Sequence, residues 1–227
     1  MAESLLSQPI CGVLITIVCY LLGLLIRKLL PSPFTTPLLI ANVLVILIIV
    51  FSPVTIEQYL AGGNLISMFI GPVTVILALR IYHQRAQLKA NIIPILGSCI
   101  AGSTVSLISV WFLCKFFRID EIITFSMLPK SVTTAIALEL SQRAGGLAGL
   151  TVTAIIITGI TSASFSPFFI KIFKLNDPVA AGVAMGTSGH AIGTATAIEL
   201  GEIEGAMSGL AMALSGIISA VIFILLF

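Results

Sequence analysis

Residues 176–210 read NDPVAAGVAMGTSGHAIGTATAIELGEIEGAMSGL, a stretch that is apolar enough for a membrane yet carries groups that a membrane disfavours. It contains closely spaced glycines, a run of hydroxyls, His190 and Glu199. Ionisable side chains at membrane depth are costly and are retained where they face a cavity or a partner. This stretch is therefore the first candidate for a functional site.

A fainter copy of this stretch lies sixty residues upstream. Residues 127–150 align with residues 187–210 without a gap, and eight of the 24 positions are identical. In that alignment Lys130 lies opposite His190. We predict a chain built from repeated broken-helix units, two of them clear and a possible third one more eroded. The predicted units are 119–175, 178–227 and the weaker copy 59–118.

The composition of the whole chain indicates an integral membrane protein. Of the 227 residues, 58% are hydrophobic and 9% are charged, and the mean hydropathy is +1.19. Soluble domains carry about 25% charged residues, so this chain could not cover its own surface with polar groups. The net charge of +2 is too small to predict a nucleic-acid partner. The four cysteines lie in apolar runs without a CxxC pair, so we expect buried free thiols, no metal site and no cofactor.

The length of the apolar runs sets the fold class. A transmembrane helix needs about 20 mostly apolar residues, which predicts an all-α polytopic membrane protein with residues 1–227 in a single integral membrane domain. The eight predicted segments are 10–29, 36–51, 59–80, 91–115, 121–141, 147–170, 178–200 and 204–227. Segments 3, 5 and 7 contain Gly or Pro with Thr or Ser nearby, whereas the others are plain apolar runs.

The charges of the connections bear on the topology. If all eight segments cross, the odd-numbered connections carry six Lys and Arg residues and the even-numbered ones four, which favours both termini outside. If segments 3, 5 and 7 are re-entrant, the tally is five against five. Transporters built from repeats place discontinuous helices at their binding sites. We expect helices that are broken but that cross.

Lys130 lies near the middle of segment 5, directly after Pro129. Proline removes a backbone donor and disfavours helix at the residue before it. A helix that restarts near Lys130 or Ser131 would leave its first N–H groups free, beside the hydroxyls of Ser131, Thr133 and Thr134. The alternative is a lysine that snorkels to an interface.

His190 has the matching place in segment 7. The preceding residues 186–189, GTSG, permit unwinding because glycine tolerates most backbone angles, so that a helix could restart at His190 or Ala191. The positive end of a half-helix is an anion site, and two such ends with a lysine, a histidine and hydroxyls suit a small carboxylate. The alternatives are a packing histidine bonded to a neighbouring carbonyl and glycines that serve close helix packing. The predicted substrate-binding residues are Pro129, Lys130, Ser131, Thr133, Thr134, Ser188, Gly189, His190, Gly193 and Thr194.

Two carboxylates occupy matching places, because Glu139 and Glu199 each lie nine residues after Lys130 and His190. Together with His190 they are the candidates for proton coupling, and the alternative is solvation at the end of a segment. A hydrolase that uses Ser188 and His190 is disfavoured, because residues two apart on a helix do not face each other. We expect no enzyme.

Four pieces of the chain resemble the LrgB/CidB family. They are MLPKSVTTAIALE (127–139), GTSGHAIGTATAIE (186–199), EGAMSGLAMALSGI (204–217) and FIGPVTVILALRIY (69–82). The resemblance covers essentially the whole chain, and the family's motif falls on the lysine and histidine segments already selected. The chain departs from the family at Ala135 and Arg80, where members often have proline.

The resemblance implies two functions. Family members are described as antiholin-like proteins that modulate murein hydrolase activity and lysis, usually with a smaller LrgA/CidA-type membrane subunit. The plastidial glycolate/glycerate translocator resembles a fusion of the two halves, and related bacterial pairs are implicated in pyruvate uptake. We therefore expect a proton-coupled secondary transporter for small monocarboxylates of the glycolate, glycerate, lactate or pyruvate type, with the antiholin-like role as the alternative. The expected partners are a small organic anion, an LrgA/CidA-type subunit and a second copy of the chain, in the bacterial plasma membrane.

Overall fold

The computed structural model describes residues 8–30 and 35–227, and every regular element in those ranges is helical. The prediction of an all-α membrane protein is thereby confirmed at the level of fold class. Five stretches of the described chain are long and apolar enough to cross a membrane. These are Pro9–Leu29, Ile56–His83, Ile92–Phe116, Ala148–Ile172 and Glu202–Leu226.

The chain divides into two compact units, Met1–Ile76 and Leu77–Phe227. The first contains α1 (Pro9–Leu29), α2 (Pro37–Phe51) and α3 (Ile56–Ser67), with α1 packed against both of the others. Gly12 of α1 and Gly62 of α3 allow close approach, because a Cβ on Gly62 would lie 2.7 Å from the Cα of Gly12. The first unit is therefore a small helical cluster held by glycine contacts.

The second unit contains the two segments that the sequence singled out. The helices that follow in chain order are α4 (Ile70–His83, which runs across the boundary between the units), α5 (Arg85–Ala90), α6 (Ile92–Phe116), α7 (Glu121–Met127), α8 (Thr134–Arg143), α9 (Ala148–Ile172), α10 (Pro178–Leu200) and α11 (Glu202–Leu226). Aspartates cap two of them, because Asp120 accepts from the N–H of Ile122 and Asp177 from that of Val179.

Helix α10 reverses its direction at His190. This residue has φ 40° and ψ −127°, which divides α10 into the halves 178–189 and 191–200. A Cβ on Gly193 would overlap the carbonyl oxygen of Met185, although eight residues of continuous helix would span about 12 Å. The two halves therefore lie side by side.

The contacts between α10 and α11 also show that the two halves of α10 run antiparallel. A Cβ on Gly186 would overlap the carbonyl oxygen of Ser208, and the hydroxyl of Thr194 lies 2.9 Å from that of Ser208. Gly182 and Ile198, farther from the bend, both pack against the first turn of α11. We call α10 hairpin B, with its tip at His190.

Residues 121–143 form a comparable hairpin, which we call hairpin A. It consists of α7, a 3-10 turn (Leu128–Ser131) and α8. A Cβ on Gly146 would overlap the hydroxyl of Ser141 and lie 2.9 Å from the backbone N of Ser126, so the two arms approach each other away from the turn. Leu128 and Leu140, one from each side of the tip, share one buried cluster.

The two hairpins point toward each other. Near the start of α9, Thr151 lies 2.7 Å from Ser141 in hairpin A, whereas Ser162 in the middle of α9 lies 2.9 Å from Ser188 near the tip of hairpin B. Since α9 leads from the base of hairpin A to the base of hairpin B, the hairpins enter the unit from opposite ends. Their tips meet in the middle.

This arrangement corrects the expectation that segments 5 and 7 cross as broken helices. Each arm of hairpin B is about 18 Å long at most, which is near half of a typical hydrocarbon core of about 30 Å. Both ends of each hairpin lie at the same end of the unit. The apolar pattern predicted the extent of each segment along the chain but carried no information about the relative direction of its two halves.

The positions of the breaks also differ from the expectation. In hairpin A the helix restarts at Thr134 and not near Lys130 or Ser131, because residues 128–131 form the 3-10 turn and Val132 and Thr133 are extended. In hairpin B the helix restarts after His190, as predicted, but residues 186–189 stay helical.

The predicted repeat units and the cysteines can be compared with the fold. Units 119–175 and 178–227 share one order of elements, a hairpin followed by a long helix, and the repeat itself stays a prediction. All four cysteines are free, and Cys19, Cys99 and Cys114 are buried while Cys11 is half-buried.

Candidate functional site

A cavity of about 1040 Å³ lies between α6, α9 and the half-helix 178–189. Its deep end is formed where the hairpin tips meet, by Lys130, Ser131 and Ser188. Its other end lies at Asn91 and Asp177, at the base of hairpin B. The cavity therefore leads from that end of the unit to the meeting point of the tips.

The deep end of the cavity is rich in hydroxyl groups. The Lys130 amine donates to the Ser131 hydroxyl at 3.3 Å, and that hydroxyl lies 2.7 Å from the Ser106 hydroxyl. Across the cavity, the hydroxyls of Ser162 and Ser188 lie 2.9 Å apart. Because hydroxyls can donate as well as accept, this end offers several donors around one ammonium group.

The outer walls of the cavity are more apolar. Toward the base of hairpin B the lining includes Ile95, Phe165, Phe169, Val179 and Val183. Electrostatic attraction is stronger beside apolar walls than in bulk water. The amine of the hairpin A tip lies at the inner end of a passage whose outer part is largely apolar.

Pro129 and the 3-10 turn set the direction of the Lys130 side chain. Leu128 and Pro129 are buried, which fixes the turn in the unit. The turn packs against α6, α9, α10 and α11. Lys130 is thereby held at the tip of hairpin A, where its amine reaches the cavity and its carbonyl group faces hairpin B.

His190 lies behind Lys130 and not in the cavity wall. Its ring is 2% exposed, and its Nε2 atom lies 3.2 Å from the carbonyl oxygen of Lys130. This is the geometry of a histidine bonded to a neighbouring carbonyl, which was the alternative to direct substrate contact. His190 therefore joins the two hairpin tips, and the predicted carboxylate contact stays a prediction.

Three other predicted residues of hairpin B serve packing. A Cβ on Gly189 would lie 2.5 Å from the hydroxyl of Ser162, so glycine lets the tip approach α9. Gly193 lets the two arms approach, as described above. The hydroxyl of Thr194 is buried and lies 2.9 Å from that of Ser208 and 3.9 Å from the Met212 sulfur.

The remaining predicted residues lie outside the cavity. Thr133 precedes the first residue of α8, Thr134, which is exposed. Glu139 forms an exposed ion pair with Arg143 at 2.7 Å, and its side chain is 63% exposed. Glu199 is exposed in the last turn of α10. The geometry thus supports a binding role for Lys130, Ser131 and Ser188 more directly than for the other predicted residues.

The sequence predicted an anion site at the N-terminal ends of two half-helices, but the structure places those ends elsewhere. The N-terminal end of α8 at Thr134 and that of the half-helix 191–200 do not line the cavity. The half-helix 178–189 instead presents its C-terminal end there through Thr187 and Ser188. That end carries partial negative charge, which favours the nearby ammonium.

Sequence reasoning missed the hydroxyls of the long helices. Segments 4 and 6 have the pattern of plain apolar runs, yet α6 and α9 supply about half of the polar lining. Their signal is a spacing of four residues, which places side chains on one helix face. The hydroxyls on these faces are Ser98 and Ser106 of α6 and Thr158, Ser162 and Ser166 of α9.

The site is suited chemically to bind an anion. It has one amine that can carry a positive charge and several hydroxyl donors, and its outer walls are largely apolar. Within residues 8–30 and 35–227, no group of three or more His, Cys, Asp and Glu residues could hold a metal ion. A carboxylate of a small molecule would find charge and hydrogen bonds at the deep end.

Two opposed hairpins and several long apolar helices surround a cavity that ends at a lysine. This architecture defines a polytopic membrane protein with an internal cationic site. Sequence comparison identifies it more closely. The chain belongs to the LrgB-like family, whose model matches residues 16–227.

Three named relatives illustrate the similarity. The chain is 36% identical to the antiholin-like protein LrgB of Bacillus mycoides (strain KBAB4) over 215 residues, which cover 94% of each chain. The antiholin-like LrgB proteins of Bacillus cereus (strain B4264) and Bacillus anthracis (strain CDC 684 / NRRL 3495) show the same identity and coverage. No solved structure matches the chain significantly.

Proposed function

We propose that this chain is a secondary carrier for small monocarboxylates, of the glycolate, glycerate, lactate or pyruvate type. The observation that carries the proposal is the position of Lys130, whose amine lies at the hydroxyl-rich deep end of the cavity. A carboxylate there would pair with the ammonium and accept hydrogen bonds from the neighbouring serines. Such charge-assisted bonds are roughly twice as strong as neutral ones.

The arrangement of the hairpins supports transport over simple binding. The site lies where two opposed hairpins meet, and discontinuous helices of this kind surround the midplane sites of secondary transporters. The cavity leads to the site from the base of hairpin B. Access from the other end would require hairpin A to separate from its neighbours. We propose in addition that transport of the anion is coupled to a proton.

Uptake by purified protein tests the proposal. The protein would be placed in liposomes and supplied with labelled pyruvate, lactate or glycolate, with and without an LrgA/CidA-type subunit. We expect saturable uptake that falls about tenfold or more in Lys130→Ala, because the half-buried Lys130 would lose its charge pair with the carboxylate, and a loss of about 1.4 kcal/mol is already tenfold. Lys171→Ala is the matched control, since Lys171 is exposed at the end of α9 and does not line the cavity.

Two outcomes would contradict the carrier. One is uptake that Lys130→Ala leaves unchanged. The other is leakage of unrelated solutes at the same rate in wild type, Lys130→Ala and His190→Ala. Either outcome would mean that the amine at the tip of hairpin A does not select the solute.

The second candidate is an antiholin-like regulator of murein hydrolase export and lysis. The names of the relatives favour it, and they do so more directly than they favour transport. A regulator of this kind would act by oligomerising or with an LrgA/CidA-type partner. Lysis and hydrolase activity would then change on deletion of the gene, and Lys130→Ala would restore them as well as wild type does.

A further inference from the structure

Lys130 has no carboxylate partner in the part of the chain that the structure describes. The nearest charged pair along the chain, Arg143 with Glu139, is exposed on α8. The Lys130 amine makes a single side-chain hydrogen bond, to the Ser131 hydroxyl at 3.3 Å. Its charged form is thus held by one neutral hydroxyl and by the C-terminal end of the half-helix 178–189.

Lys130 is half-buried, and an ammonium group that has lost part of its hydration without gaining a counter-charge is costly to keep charged. A buried charge is tolerated when a counter-charge and hydrogen bonds compensate its lost hydration. Lysine can avoid the cost by losing a proton, which arginine cannot do in proteins. A bound carboxylate would supply the missing counter-charge, so binding of an anion and of a proton at Lys130 should favour each other.

Few other titratable groups face Lys130. Of the elements packed against its turn, α10 contributes His190, whose ring lies on the backbone side of Lys130, and Asp177 lines the far end of the cavity. The charged residues of α6, α7, α8, α9 and α11 do not line the cavity. They are Lys115, Glu121, Glu139, Arg143, Lys171, Glu202 and Glu204, and Glu199 at the end of α10 is likewise exposed and outside the cavity.

We infer that Lys130 itself carries the coupled proton, in place of His190, Glu139 and Glu199. This inference rests on the proposed function. In this proposed cycle Lys130 is neutral while no anion is bound and charged while the anion is bound. A proton from the water of the cavity and the anion bind together, which forms an ammonium–carboxylate pair without net charge. On the other side the carboxylate leaves, and the ammonium returns its proton to water, so one proton moves with each anion.

Lys130→Arg separates binding from proton release. A guanidinium keeps its charge, so the variant should bind the anion but could not return to the neutral empty state. We expect exchange of labelled for unlabelled pyruvate to stay within about tenfold of wild type. Net uptake of pyruvate and proton entry, followed with a pH-sensitive dye inside the liposomes, should both fall to the level of empty liposomes.

A second variant keeps the test decisive if Lys130→Arg does not fold. Glu139→Gln combined with Glu199→Gln should retain wild-type uptake and the ratio of one proton per pyruvate, because these carboxylates lie outside the cavity. Proton-coupled net uptake in Lys130→Arg, or loss of the ratio in the double variant, would overturn the inference. Absence of saturable pyruvate, lactate and glycolate uptake in wild type would instead overturn the proposed function.

Discussion

At the scale of single residues, His190 combines an unfavourable backbone conformation with a specific hydrogen bond. Its φ of 40° lies in a region of backbone angles that residues other than glycine rarely adopt. Such residues cost about 1–3 kcal/mol each and persist where the surroundings hold them in place. This conformation places the ring of His190 where it bonds the carbonyl oxygen of Lys130.

Substitutions at His190 should separate the strain from the bond. His190→Ala loses the bond and keeps the strain, whereas His190→Gly loses both. We therefore expect His190→Gly to unfold at a higher temperature than His190→Ala, by the equivalent of about 1–2 kcal/mol, in thermal unfolding of the detergent-solubilised protein. Ala195→Gly, in the exposed face of the same half-helix, should instead destabilise. Equal stability of the two His190 variants would show that the backbone there is unstrained.

The sequence revealed Lys130 and His190 because ionisable groups are conspicuous in apolar segments. It could not separate their roles. Both side chains lie at hairpin tips, yet one points into the cavity and the other onto a carbonyl group. That difference depends on the direction of two side chains in a tertiary contact, and a linear pattern of residue types carries no such information.

At the scale of elements, the glycines of hairpin B determine how closely it packs on α11. A Cβ on Gly186 would overlap the backbone of Ser208, which cannot move without shifting α11. Gly149 in α9 has no heavy atom within 4 Å of such a Cβ. We expect Gly186→Ala to destabilise by about 1–3 kcal/mol and Gly149→Ala to be neutral or slightly stabilising. Similar unfolding temperatures for the two variants would contradict the close packing of hairpin B.

The hairpins make a sharper prediction about sidedness. Asn176→Cys and Glu202→Cys, which flank hairpin B, should react with a membrane-impermeant thiol reagent from the same side of the membrane. Glu121→Cys and Gln142→Cys, at the two ends of hairpin A, should both react from the opposite side. All four positions are exposed, and a background without the native cysteines removes other reactions. Labelling of the two ends of either hairpin from different sides would show that this segment crosses the membrane and is not a hairpin.

Much of the helical content could be predicted from the sequence. The predicted segments 91–115, 147–170 and 178–200 agree with α6, α9 and α10 to within a few residues. The fold-back of hairpins A and B could not be predicted. Two short helices joined by a break show the same apolar pattern whether they continue or reverse, and contacts with α9 and α11 decide between the two.

At the scale of the whole molecule, the site is assembled from elements that are distant in the chain. Ser106 of α6 meets Ser131 of hairpin A, and Ser162 of α9 meets Ser188 of hairpin B. The sequence selected Ser131 and Ser188 because they lie next to the breaks. It missed their partners because isolated serines in long apolar helices also occur as ordinary packing residues. Their common location becomes apparent when four elements are brought to one cavity.

The most direct test of the account is binding of a carboxylate at Lys130. Isothermal titration of the purified protein with pyruvate, lactate and glycolate should reveal one site per chain for at least one of them. In Lys130→Met the affinity should fall about tenfold or more, while Lys171→Met should bind as wild type does. Equal affinity of Lys130→Met and wild type would contradict the assignment of the cavity as an anion site.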